Sequence, residues 1–109
     1  MSGAEFARAV IDACAASSKV VECTLSLWDE PVVKLRVDLR GGTFIDVFHN
    51  ADTGKVSFAW ISGNQRLLGV DNTRGWHLHP LRQPESHQPH PAMTFAEFLT
   101  EVEKEIPIR

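Results

Sequence analysis

The feature that most constrains this chain is a period-two alternation of apolar and polar residues running, with short breaks, from residue 20 to residue 71. Successive side chains of an extended chain point to opposite faces, so this period marks half-buried strands. Val21, Cys23, Leu25 and Leu27 form a first stripe, and Val33, Leu35, Val37 and Leu39 a second, with Lys34, Arg36, Asp38 and Arg40 facing outward. Segment 43–49 is apolar on both faces, which suits an interior strand. Val56, Phe58 and Trp60 form the next stripe, and a strand over 65–71 follows it. Turn residues separate the stripes at Asp29-Glu30-Pro31, Gly41-Gly42, Asn50 to Gly54 and Ser62 to Gln65. The pattern predicts a five-stranded antiparallel β-meander.

Helical signals flank the meander. Phe6, Val10 and Cys14 recur every four positions over 3–17, beside Ala9 and Ala13, giving a narrow face suited to close packing on a sheet. Thr94-Phe95-Ala96-Glu97 has the form of a capping box, and Phe95, Phe98, Leu99, Val102 and Ile106 make a helical stripe after it. Between meander and last helix lies a long loop, 73–93, with four of the six prolines. The expected fold is a single α+β domain over 1–109: N-terminal helix, five-stranded meander, Pro/His-rich loop and C-terminal helix, both helices on one sheet face.

A hydrophobic content of 43% over 109 residues supports one modest core and argues against disorder. No apolar run is long enough for a membrane span, and residues Met1 to Ser18 lack the basic start and continuous apolar segment of a signal peptide. The default location is cytoplasmic. Cys14 and Cys23 fit that compartment as free core thiols, and Trp28 and Trp60 read as packing residues. The net charge of −3 argues against a nucleic-acid binder held by charge alone. Residues 63–93 nevertheless carry Arg66, Arg74 and Arg82 against Asp71 and Glu85, so an anionic ligand is expected there.

A two-residue hairpin at Gly41-Gly42 would set Leu39 opposite Phe44, Val37 opposite Asp46 and Leu35 opposite Phe48. In that register Asp46 sits among aromatic and aliphatic groups, where a carboxyl is pushed upward unless paired and can serve as a general acid or base. A one-residue bulge would instead turn Asp46 to solvent. His49 is expected on the outward side. In the last hairpin Trp60 would face Leu67, Phe58 would face Gly69, and Val56 would face Asp71, putting Asp71 at the rim of the sheet face that holds Asp46.

Chemistry concentrates in Asp71-Asn72-Thr73-Arg74-Gly75-Trp76-His77-Leu78-His79, and four of the five histidines fall within residues 77–90. His77 and His79 are two apart, so in an extended segment both rings point to one side, ~7 Å apart along the chain. Two imidazoles can divide acid and base roles, since histidine titrates near neutral pH. They can equally supply two ligands to a divalent ion, with Asp71, His87 or His90 completing the set, although no cysteine pair or helical His-Glu-x-x-His pattern accompanies them. Arg74 before Gly75 can present a guanidinium to a phosphate, Asn72 ends the strand beside it, and Trp76 can stack a base or anchor the loop. His87 and His90 read as solvated loop residues.

The run Asp71-Asn72-x-Arg74-Gly75-x-His77-x-His79, after a β-meander and before a helix with a phenylalanine-rich stripe, resembles the TumE family. Members of that family are regarded as toxin components of prokaryotic toxin–antitoxin pairs, usually encoded beside a helix-turn-helix antitoxin. The resemblance implies a toxin and a cognate antitoxin partner. Combined with the residues themselves, it suggests metal-independent action on RNA: His77 and His79 as proton-transfer groups, Asp71 orienting one of them, Asp46 as a further acid or base, and Asn72, Arg74 and Trp76 holding substrate. No cofactor is expected. The other readings are a non-catalytic module for protein or nucleic acid and a divalent-metal domain.

Overall fold

A computed structural model describes residues 1–83 and 85–107 of the chain; Pro84, one of the loop prolines, lies outside the described residues. The chain order is α1 (Gly3–Ala15), β1 (Val20–Asp29), β2 (Val32–Leu39), β3 (Phe44–Asn50), β4 (Lys55–Ser62), β5 (Gln65–Asp71), β6 (His77–His79), β7 (Gln88–Pro89) and α2 (Phe95–Glu103). The strands form one sheet in sequence order, every neighbouring pair antiparallel. The expected α+β meander is therefore present, with seven strands in place of five. The additional two are short and lie in the loop over 73–93, which holds them because His77–His79 pairs back onto β5.

Both helices start on capping boxes. Ser2 accepts from Glu5 N while Glu5 accepts from Ser2 N, and Thr94 and Glu97 repeat the arrangement. Each box satisfies donors that a helix start otherwise leaves unpaired. The buried faces, Phe6, Ala7, Val10 and Cys14 of α1 and Phe95, Phe98, Leu99 and Val102 of α2, share one core with Val33, Leu35, Val37, Ile45, Val47, Phe58 and Trp60. Both helices thus cover the same sheet face, and the other face is open. A hydrogen bond from Ser17 Oγ to Glu103 Oε2 ties the helices together. Cys14 is buried and Cys23 half-buried, both as free thiols. The neighbouring Cys23 thiol and burial push Cys14 upward, and the same contact lowers Cys23.

The β2–β3 register differs from the expected one by one residue. Leu39 N donates to Thr43 O at 2.9 Å, so the loop is Arg40–Gly42, three residues long, with Gly41 and Gly42 at φ 91° and 92°. Arg36 then faces Asp46, Val37 faces Ile45, and Leu35 faces Val47. A slip of one residue exchanges the two faces of a strand. Ile45 and Val47 enter the core, while Asp46 is exposed on the open face. His49 moves the opposite way: it is buried, with its ring stacked on Phe6 at 4.3 Å.

The β4–β5 hairpin closes at Ser62–Gln65 as expected, but a bulge at Leu67 shifts the remainder by one. Trp60 pairs with Leu68, Phe58 with Val70, and Ser57 with Asp71. Asp71 is therefore also turned to the open face, and it still shares a face with Asp46.

β1 is the sheet edge, and two irregularities in its pairing bring Leu27 opposite Lys34 and Trp28 opposite Val33. Trp28 is 48% exposed, so it is not the packing residue the sequence suggests; Val21 and Leu25 are exposed on the same strand. Trp60 is buried, with its indole N–H donating to Thr43 Oγ1 at 2.9 Å.

Candidate functional site

The local sequence of β5 sets the geometry of the site. Arg66 and Asp71 are five residues apart, an odd separation that puts side chains on opposite faces of a regular strand. The bulge at Leu67 removes one step of the alternation, so Arg66, Gly69 and Asp71 all face the open side. β6 runs antiparallel to this strand, with Gly69 opposite His79 and Asp71 opposite His77.

His79 is the hub, only 4% exposed. Arg66 Nη2 lies 3.2 Å from its Nδ1, and Asp71 Oδ2 lies 3.2 Å from its Nε2. A guanidinium can only donate, so Nδ1 is the acceptor and Nε2 carries the proton given to Asp71. The hydrogen bonds thus select one tautomer of a neutral imidazole. Gly69 makes the approach of Arg66 possible: a Cβ there would lie 2.9 Å from Arg66 Cδ and 3.5 Å from His79 Cδ2.

Asp71 Oδ1 also accepts from Thr73 N at 3.0 Å. Burial pushes the Asp71 carboxyl up, but the hydrogen bonds from the Thr73 backbone and from His79 outweigh it and hold the group below the usual carboxylate range.

Two further imidazoles stand beside the hub. The His87 ring meets that of His79 edge to face, with centroids 4.3 Å apart, and His77 lies 6.3 Å from His87. His77 is half-buried and His87 exposed. The sequence places His87 as a solvated loop residue, and its one signal there is its position in a histidine-rich segment. Arg66 carried no sequence signal beyond the local positive charge. His90 is held apart, with its backbone N–H donating to Trp76 O at 3.1 Å. Among the described residues, no three His, Cys, Asp or Glu side chains converge closely enough to hold a metal ion.

The remaining sequence candidates fall in different places. Asn72 Oδ1 accepts from Val56 N and its Nδ2 donates to Gly54 O, both at 2.8 Å, so its amide staples the β3–β4 turn to the end of β5. Arg74 is exposed at φ 55° in the turn after β5. Trp76 packs against the core and lines an apolar cavity of about 350 Å³ with Phe6, Phe95 and Met93, on the helix side of the sheet. Asp46 lies on the open face, in a separate groove two strands from Asp71.

The architecture defines the class: an α+β protein whose helices cover one side of a meander and leave a histidine cluster on the other. The chain belongs to the TumE family, whose model, described as "Toxin TumE", matches residues 11–106. Comparison with curated proteins gives no significant match, and neither does comparison with solved structures. Among the described residues, no helix is long and apolar enough to cross a membrane.

Proposed function

We propose that this chain is the toxin of a toxin–antitoxin pair and that it cleaves RNA at the open-face histidine cluster without a metal ion. The observation that carries the reading is His79 fixed between Arg66 and Asp71, with the His87 ring against it and His77 beside His87. A buried imidazole with both nitrogens engaged is a support, and the proton-transfer work falls to the accessible rings of His77 and His87. Arg66 and Arg74 supply the positive charge that a phosphodiester needs.

In this scheme one of the two accessible imidazoles takes the proton from a ribose 2′-hydroxyl. The O2′–P bond forms, the P–O5′ bond breaks, and the other imidazole gives its proton to O5′. The products are a 2′,3′-cyclic phosphate and a 5′-hydroxyl. His79 and Asp71 act as positioning residues that keep the cluster in register. The partner in this reading is a helix-turn-helix antitoxin, as membership of the family suggests.

The test is expression in a bacterial host together with cleavage of RNA by purified protein in EDTA. Wild type arrests growth and leaves cyclic-phosphate ends. His77→Ala and His87→Ala each relieve arrest and cleavage while keeping the wild-type circular-dichroism spectrum. Undiminished arrest in both variants, or cleavage that requires added metal, overturns the proposal.

A further inference from the structure

The open face carries a second feature beside the histidine cluster. A groove of about 370 Å³ is lined by Lys34, Asp46, Phe48, Lys55, Ser57 and Ala59. Its volume lies at the lower end of the roughly 300–1,000 Å³ typical of small-ligand sites. The sheet register sets this separate groove alongside the cluster. Lys34, Phe48, Ser57, Asp71 and His77 stand opposite one another on consecutive strands, forming one row across the face. Phe48 and Asp71 are two strands apart, about 10 Å, roughly the reach of one or two nucleotide units.

The carboxylate and ammonium groups in the groove do not pair with one another. Arg36, the cross-strand neighbour of Asp46, pairs instead with Asp38 at 3.0 Å and lies over the Phe44 ring at 3.7 Å. Among the described residues, no hydrogen bond or ion pair engages the Asp46 carboxylate or the ammonium groups of Lys34 and Lys55. Lys34 stands 6.0 Å from the Phe48 ring centroid. The combination is an aromatic ring for stacking, a carboxylate that only accepts, and two cations at the margins.

Resting on the RNA reading above, we infer that this groove is a nucleobase subsite that selects guanine and presents the neighbouring phosphodiester to the histidine cluster. Phe48 stacks the base, as aromatic side chains do in single-stranded RNA sites. The two carboxylate oxygens of Asp46 match the adjacent N1–H and N2–H donors of guanine. Adenine and uracil offer no such pair, and each sets a lone-pair acceptor against the carboxylate. Lys34 and Lys55 hold the flanking phosphates. The substrate is a single strand, because a paired base cannot present that edge to the sheet.

The experiment measures binding of single-stranded tetranucleotides with 2′-deoxy sugars, which lack the internal nucleophile, by fluorescence anisotropy. One position holds guanine, inosine, adenine or uracil. Wild type binds the guanine strand ~10-fold or more tightly than the adenine strand, with inosine between them. Asp46→Asn abolishes that preference. Phe48→Leu, which keeps apolar volume on the sheet, weakens all four strands by ~5-fold or more. Lys34→Ala and Lys55→Ala each reduce the salt slope by ~0.7. Equal affinity of wild type for guanine and adenine, or an unchanged preference in Asp46→Asn, overturns the assignment. If RNA is still cleaved in a His77- and His87-dependent manner, that result leaves the ribonuclease reading standing. If no strand binds and no RNA is cleaved, both fall.

Discussion

Arg66 and Asp71 engage opposite nitrogens of the same imidazole from the same side of one strand, although their sequence separation should set them on opposite faces. The bulge at Leu67 accounts for it, and it makes the site a property of backbone register as much as of side-chain identity. Two of the three side chains in the hub come from a strand whose regular form could not hold them together.

That dependence can be probed at Gly69. A Cβ at this position meets the Arg66 side chain at 2.9 Å, and a flexible side chain gives way before a strand does. Gly69→Ala is expected to leave the fold intact while lifting Arg66 from His79. Under the proposed ribonuclease reading, where a displacement of about 1 Å costs a catalytic site ~100-fold, RNA cleavage falls by ~100-fold. NMR of the His79 ring reports the lost hydrogen bond directly, and an unchanged ring spectrum with unchanged cleavage would show that Arg66 is not held by this gap.

Asp71 links the site to acid stability. Its carboxyl titrates below its ordinary value in the folded protein, so ionised Asp71 stabilises the fold above the unfolded-state value near 3.8. That stabilisation disappears as pH falls through the folded value. Wild type should therefore lose more stability than Asp71→Asn between pH 6 and pH 2.5, seen as a larger shift in the urea midpoint. Parallel losses in the two proteins would contradict the assignment.

Asn72 makes a prediction of the opposite kind. Its amide closes two hydrogen bonds between strand ends, so Asn72→Ala is expected to cost ~1–3 kcal/mol of stability. Under the proposed ribonuclease reading, the folded fraction still cleaves RNA at the wild-type rate. A rate collapse without a stability change would return Asn72 to the substrate-binding role its sequence position suggests.

His49 offers a stabilising change. It is buried and its Nδ1 lacks a partner among the described residues, while the ring stacks on Phe6 with an interplanar angle of 9°. His49→Phe keeps the stack and removes the unpaired nitrogen, so a gain of ~1 kcal/mol is expected in denaturant unfolding. A loss of similar size would show that the weak contact from Nε2 to Met1 O matters more than the orphaned nitrogen.

Much of this architecture is legible in the residues. The capping box at Thr94, the meander and the Ser62–Gln65 turn follow from local chemistry that acts over a few positions, and the His-x-His run leads to the family. What local chemistry does not carry is register. Gly41-Gly42 fits either a two- or a three-residue loop, and the choice decides whether Asp46 or Ile45 enters the core. The pair Leu67-Leu68 gives no outward sign of a bulge, because both leucines remain on the apolar side once it forms. His87 reaches His79 through the loop after β6, a contact set by chain path and not by spacing. The two one-residue register differences turn Asp46 and Asp71 together, so the two carboxylates share a face under either pairing.

The two margins of the sheet are unlike. On the histidine side it ends in β7, two residues closing on Pro89, which has no N–H to offer a further strand. On the far side it ends in β1, ten residues long without proline or lysine and with Val21, Leu25 and Trp28 exposed. Of the usual defences against strand addition this margin has its two pairing irregularities and the acidic Glu22 and Asp29, but no proline and no lysine. The longer margin is therefore the better one for adding a strand, and it lies away from the histidines. A partner that joins this margin, whether another polypeptide or a second copy, would leave the cluster uncovered, and inhibition by such a partner would have to act by some means other than occlusion.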